Sequence, residues 1–134
     1  MSGEHAAAYL DASAVVKLVT AERESAALRA YLDSFRVLCS CALVRVEAVR
    51  AVAPQGELAT ARARQVVAGL RLVALEDHIL TVAAGLPPPV LRTLDAIHVA
   101  AALSLGSDLR ALVTYDRRMQ DAARALGLPV EAPA

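Results

Sequence analysis

Short apolar runs alternate with helical segments along nearly the whole chain, and no other feature constrains the fold as strongly. Ala7-Ala8-Tyr9-Leu10 is an apolar run ending at Asp11, and Ser13 is placed to cap a helix over Ala14 to Val19. A second helix fits Glu22 to Ser34, followed by an apolar run over Arg36-Val37-Leu38-Cys39. Ser40 is the candidate cap of a third helix that reaches about Ala53 and stops at Pro54. Glu57 to Ala68 reads as a helix closed by Gly69, and Leu72-Val73-Ala74-Leu75 as a strand. A short helix over Asp77 to Ala84 precedes Pro87-Pro88-Pro89, a stiff connector. Thr93 then caps a helix to Leu105 that Gly106 closes, and Ala111-Leu112-Val113-Thr114 is the fourth strand. A last helix covers Arg117 to Leu126, with Val130 in a possible fifth strand. Strands separated by helices predict an α/β fold: a central parallel sheet of four to five strands with helices on both faces.

The 134 residues suit a single domain over 1–134, large enough to bury a core without a disulfide or metal staple. A hydrophobic share of 57 % excludes disorder. Fourteen basic and fourteen acidic residues cancel, which excludes a generally basic nucleic-acid coat and leaves room for a local patch. The basic set is Arg throughout except for Lys17, and Arg holds phosphate or carboxylate bidentately. Tyr9, Tyr31, Phe35 and Tyr115 are the only aromatics, too few for a base-stacking platform. Glu4, Asp11 and Lys17 interrupt any leader-like apolar region, and no apolar run approaches the ~18 residues a membrane helix needs. On a strand Cys39 and Cys41 would face the same side and read as small buried hydrophobes, with redox or metal roles as the alternative, and a reduced, cytoplasmic setting is the default expectation.

Most carboxylates lie at helix starts, in turns or on mixed faces, where solvation accounts for them. Four do not. Asp11 follows the first strand directly and Asp116 follows the fourth, both at the carboxyl edge where open α/β sheets bind ligands. A turn or cap role would explain either one alone. Asp95 opens a helix that is apolar nearly all round and shares a face with His98, Val99 and Ala102. Compensation of the helix dipole is the alternative there. Glu47 falls within the apolar stripe of its own helix, beside Val44 and Ala51, with Arg50 as the candidate partner in a structural ion pair. The far side of that helix carries Val49 and Val52, a face that suits a partner subunit. Gathered carboxylates repel one another, so a divalent cation is their natural counter-charge, and oxygen-only ligation favours Mg²⁺ or Mn²⁺. Such an ion activates water and neutralises a phosphodiester.

The segment Tyr9-Leu10-Asp11-Ala12-Ser13-Ala14-Val15-Val16-Lys17-Leu18 resembles the opening motif of PIN domains, in particular the VapC ribonuclease toxins of type II toxin–antitoxin systems. Leu94-Asp95-Ala96-Ile97-His98-Val99-Ala100-Ala101-Ala102 resembles their third acidic motif, and Val113-Thr114-Tyr115-Asp116-Arg117-Arg118-Met119 the fourth. Glu47 takes the place of the second, while the stretch from Pro54 to Pro89 carries almost no signature. The resemblance implies a PIN-like fold with catalytic roles for Asp11, Glu47, Asp95 and Asp116, and an Mg²⁺ site that includes Asp11, Asp95 and Asp116. It further implies RNA cleavage, inhibition by a small antitoxin protein, a homodimer, and helper roles for the Ser13 and Thr114 hydroxyls. No acidic position departs from the pattern.

Other chemistries fit less well. A haloacid-dehalogenase-type phosphatase wants a second Asp where Ser13 stands, and a phosphoaspartate receiver wants a Lys late in the fold, where this chain has none. A metal-free ribonuclease would use paired His. His5 and His78 sit in ordinary polar contexts, and His98 is expected to orient Asp95 or to satisfy the core. The serious rivals are a PIN-like interaction module and an RNA-processing nuclease outside any toxin–antitoxin pair. Arg45, Arg50, Arg92, Arg117 and Arg118 lie near the acidic motifs and are candidates for phosphate contact, with solvated faces as the alternative. Tyr115 is a candidate stacker, although its place at a strand end favours a buried Tyr.

Overall fold

A computed structural model describes residues 6–134, so Glu4 and His5 lie outside the described residues. The chain runs β1 (Ala7–Leu10), α1 (Ala12–Val19), α2 (Ser25–Leu32), β2 (Val37–Cys41), α3 (Val44–Val52), α4 (Glu57–Ala68) and β3 (Arg71–Val73). It continues through α5 (Asp77–Ala84), α6 (Thr93–Leu103), β4 (Leu109–Val113), α7 (Arg117–Ala125) and β5 (Val130–Glu131). The five strands form one sheet in the order β3-β2-β1-β4-β5, and every pairing is parallel. β1 and β4 lie side by side at its centre, with Leu10 opposite Val113.

Alternation along β1 divides the core. Ala7 and Tyr9 point to one face, under α5, α6 and α7 through Ile79, Ala96, Ala100 and Ala123. Ala8 and Leu10 point to the other, under α1 to α4 through Val15, Leu28, Val44 and Val67. All four β1 side chains are buried, as expected of a strand covered on both faces. The runs of Ala in α6 let that helix approach the sheet closely, and Ala100, Ala101 and Ala102 are all buried.

Local boundaries shift in ways that bear on the site. Asp11, rather than Ser13, is the N-cap of α1, and its side chain accepts from the Ala14 N–H. Helix α2 begins at Ser25, three residues later than the sequence pattern suggests. Ser40 caps nothing: β2 runs on to Cys41, Ser40 is fully buried in it, and α3 starts at Val44. Thr93 is the first residue of α6, preceded by Arg92 at the cap position. Gly106 lies beyond the end of α6 and opens a separate 3-10 turn at φ +56°. Val52 is buried and Val49 packs with it, so the side of α3 expected to face a partner turns inward; Val46 is the exposed apolar residue of that helix.

Candidate active site

Asp11 is held at the carboxyl end of β1, where its backbone N–H still bonds to the Val113 carbonyl of β4 at 3.3 Å. Its Oδ1 accepts from the Ser13 hydroxyl at 2.6 Å and from the Ala14 N–H at 3.1 Å. Its Oδ2 accepts from the Thr114 hydroxyl at 2.6 Å. Burial raises the pKa of this carboxyl, and the bonds from Ser13 and Thr114 oppose the shift by favouring its charged form.

Thr114 ties two acids together. While donating to Asp11, its Oγ1 accepts the Asp116 N–H at 3.1 Å, and the Asp116 side chain caps α7 by accepting from the Met119 N–H at 3.1 Å. Ser13 ties the same loop by accepting the Tyr115 N–H at 2.9 Å. Both hydroxyls therefore orient the Asp11 carboxylate and register the β4–α7 loop against it. Asp116 also shows the cap role that the sequence left open.

Asp95 stands in the first turn of α6, and its Oδ2 is buried without a hydrogen-bond partner. Burial raises its pKa, the charges of Asp116 and Asp11 raise it further, and Arg92 and His98 pull it back. A carboxylate that needed only to offset the helix dipole would sit in solvent with both oxygens hydrated. Asp95 instead has an orphaned oxygen within the field of two other acids. As they stand, no three acid, His or Cys side chains among the described residues are drawn together closely enough to grip an ion. The unsatisfied oxygen, the mutual repulsion and the all-oxygen donor set nevertheless fit a hard divalent cation in chemistry.

Glu47 finds His98 as its partner, where Arg50 was the candidate. His98 Nε2 lies 2.6 Å from Glu47 Oε1, and His98 is 1 % exposed. On the other edge of the ring, Nδ1 lies 2.8 Å from the Tyr9 hydroxyl and 3.7 Å from Cys41 Sγ. Burial works against a charged imidazole here, but the bonds and charges of Cys41 and Glu47 prevail and raise its pKa to about 10. Of the two roles open to His98, orienting Asp95 or satisfying the core, the structure has it buried and bonded within the core. It acts on Asp95 only through its charge, and its hydrogen bonds go to Glu47, Tyr9 and Cys41. The part played by Tyr9 was missed in the sequence, where a phenol in a strand of aliphatic residues is the only signal for it.

The arginines singled out, Arg45, Arg50, Arg92, Arg117 and Arg118, are all exposed. Tyr115 is half-buried: its hydroxyl donates to the Pro133 carbonyl at 2.7 Å, and Lys17 Nζ sits 4.7 Å from its ring centroid. Its ring is thus engaged within the chain. Lys17 also bonds Glu22 at 3.2 Å and Glu24 at 2.9 Å, which pins the loop before α2. Among the described residues no helix is long and apolar enough to cross a membrane.

With this geometry in place, the chain can be set beside the known proteins it is similar to. Residues 8–125 match the model of the PIN domain family. Ribonuclease VapC46 of Mycobacterium tuberculosis is 51 % identical over 128 residues, 96 % of this chain and 98 % of that protein. Ribonuclease VapC35 of the same organism is 46 % identical over 132 residues, covering 93 % of this chain and 96 % of that protein. Ribonuclease VapC47, again from Mycobacterium tuberculosis, is 37 % identical over 130 residues with the same coverage. A match across both halves of the sheet and near-complete coverage of each relative leave one assignment: the chain belongs to the PIN domain family and, within it, to the VapC proteins.

Proposed function

We propose that this chain is an Mg²⁺-dependent endoribonuclease, the toxin of a type II toxin–antitoxin pair, cutting RNA phosphodiester bonds at a site framed by Asp11, Glu47, Asp95 and Asp116. The observation that carries the reading is Asp95, whose buried Oδ2 lacks a partner while the charges of Asp116 and Asp11 bear on it. Ribonuclease activity is supported by the names of the VapC relatives and by their near-full-length similarity.

Asp11, Asp95 and Asp116 would hold the ion, with Mn²⁺ as a possible substitute. When bound, the ion supplies positive charge to the scissile phosphate and lowers the pKa of water. Thr114 and Ser13 keep the Asp11 carboxylate in one orientation, so little reorganisation is needed when substrate arrives. Glu47 spends Oε1 on His98, and Oε2 is the oxygen that would take a proton from the attacking water. With four aromatics in the chain and Tyr115 engaged internally, RNA is recognised by backbone shape and phosphate contact more than by stacking. The protein would act in the cytoplasm, held in check by a small antitoxin. A homodimer belongs to the same reading, and light scattering would show it as twice the 14.0 kDa chain mass.

The test is incubation of purified protein with a mixed pool of single-stranded and hairpin RNA, with Mg²⁺ or with EDTA, beside an Asp11→Asn variant. Fragments that appear only with wild-type protein and divalent ion support the reading. Intact RNA in both Mg²⁺ and Mn²⁺ overturns it. For the toxin role, induced expression should arrest growth, and co-expression of a small protein encoded immediately upstream should relieve the arrest.

A further inference from the structure

Behind Glu47 lies a buried polar chain that the cleavage chemistry does not itself require. Tyr9 comes from β1, Cys41 from β2, Glu47 from α3 and His98 from α6, so four separate elements converge on one imidazole. Tyr9 and Cys41 are fully buried and His98 is 1 % exposed, whereas the Glu47 side chain retains 20 % exposure. The network therefore runs from the core outward and ends on the one member that solvent reaches. The Tyr9 and His98 rings meet edge to face, with centroids 5.8 Å apart and planes at 74°, so packing as well as hydrogen bonding fixes the imidazole.

We propose that His98 is a positioning residue for the reaction: its Nε2–H fixes the Glu47 carboxylate, and Tyr9, with Cys41 beside it, locks the ring from the Nδ1 side. This inference rests on the ribonuclease reading for its kinetic consequence but on geometry for its substance. The direction of the Glu47 bond does not depend on protonation. A neutral ring that accepts a hydrogen bond from the Tyr9 hydroxyl at Nδ1 carries its own hydrogen on Nε2, and a charged ring carries hydrogens on both nitrogens. In either state Nε2 donates to Glu47 Oε1, at 2.6 Å. If His98 only filled space, an aliphatic side chain would serve without the cost of burying a polar ring beside a phenol and a thiol. The chain instead completes a hydrogen-bonded path from the sheet core to a catalytic carboxylate, which removes rotamer freedom from a Glu that would otherwise swing on three bonds.

The decisive experiment combines a double-mutant cycle with a spectroscopic readout on metal-free protein. His98→Leu should lower kcat roughly 10- to 100-fold with KM within about twofold, the range seen when a group that orients an active-site ligand is lost. Tyr9→Phe, which keeps the ring and removes only the hydroxyl, should give a smaller loss of the same kind, and His98→Gln should recover part of the His98→Leu loss by presenting an N–H to Glu47. Because His98 acts through Glu47, adding His98→Leu to Glu47→Gln should lower kcat little further. An undiminished additional loss in that background overturns the proposal. In the metal-free protein, ¹³C NMR of the Glu47 carboxyl should shift between wild type and folded His98→Gln or Tyr9→Phe variants. An unmoved signal in both overturns the proposal whether or not RNA is cut. Wild-type protein that cuts no RNA would instead strike at the ribonuclease reading, leaving the carboxyl shift to report on His98 by itself.

Discussion

The Thr114 hydroxyl donates to Asp11 Oδ2 at 2.6 Å while accepting the Asp116 N–H at 3.1 Å, so a single oxygen aligns two acids that lie 105 positions apart in the chain. Thr114 is completely buried at the end of β4, next to β1 in the sheet, and that strand pairing brings the three residues together.

Thr114→Val keeps the shape and removes the hydroxyl. It leaves the Asp116 N–H without its acceptor and takes one donor from the buried Asp11 carboxylate, at a cost of about 1–3 kcal/mol. The urea midpoint should fall, and RNA cleavage should fall by more than the loss of folded protein explains. Thr114→Ser, which retains the hydroxyl, should restore most of both.

Asp95→Asn should cut RNA cleavage on the order of 100-fold or more, since a charge aimed at the reacting centre is removed. The metal-free fold should be kept or somewhat stabilised, because the raised pKa of Asp95 reports burial and repulsion from Asp116 and Asp11. Thermal denaturation in EDTA, run beside the cleavage assay, checks both halves. Wild-type activity in this variant would remove Asp95 from the site.

Millimolar Mg²⁺ should raise the melting temperature, because an ion bound only by the folded state stabilises it by about 2.7 kcal/mol at a hundredfold excess over Kd. Asp95→Asn should lose most of that rise while keeping its own metal-free melting temperature. Equal rises in the two proteins would place the ion elsewhere.

Without metal, pH dependence has a definite sign at Asp95. Its ordinary value of 3.8 is raised by burial and by Asp116 and Asp11, so between 3.8 and the raised value the folded state holds a proton that the unfolded state has released. The stability contributed is present in full below the unfolded pKa and is lost as pH rises through the folded one. Glu24 runs the other way, because the Lys17 hydrogen bond lowers its pKa, so the total profile is a sum of opposed slopes. The informative quantity is the difference between wild type and Asp95→Asn: relative to the variant, wild type should lose stability as pH climbs above about 4, with urea midpoints in EDTA as the measurement.

Much of the architecture was legible because it depends on near neighbours in the chain. The apolar run Ala7 to Leu10, the apolar α6 and the run before Asp116 all declare themselves by periodicity, and their order specifies a parallel α/β sheet. The same locality placed Asp11 and Asp116 at strand ends. It pointed to Ser13 as the cap of α1, whereas Asp11 takes that position, held there by a backbone bond to Val113, a residue on another strand. It read Ser40 as a cap because Ser often caps helices, while pairing with β3 carries β2 on through Ser40 to Cys41.

The sequence by itself determined the strand and helix order, the buried character of α6, and the four acids whose surroundings set them apart. Only the tertiary structure decided their partners: His98 for Glu47 across 51 residues, Thr114 for Asp11 across 103, and none for Asp95 Oδ2. The reason is physical. Periodicity records which face of an element avoids water, and that is a property of a short segment. The partner of a buried polar atom is set by how whole elements pack, and residues far apart in the chain meet only once the sheet is assembled.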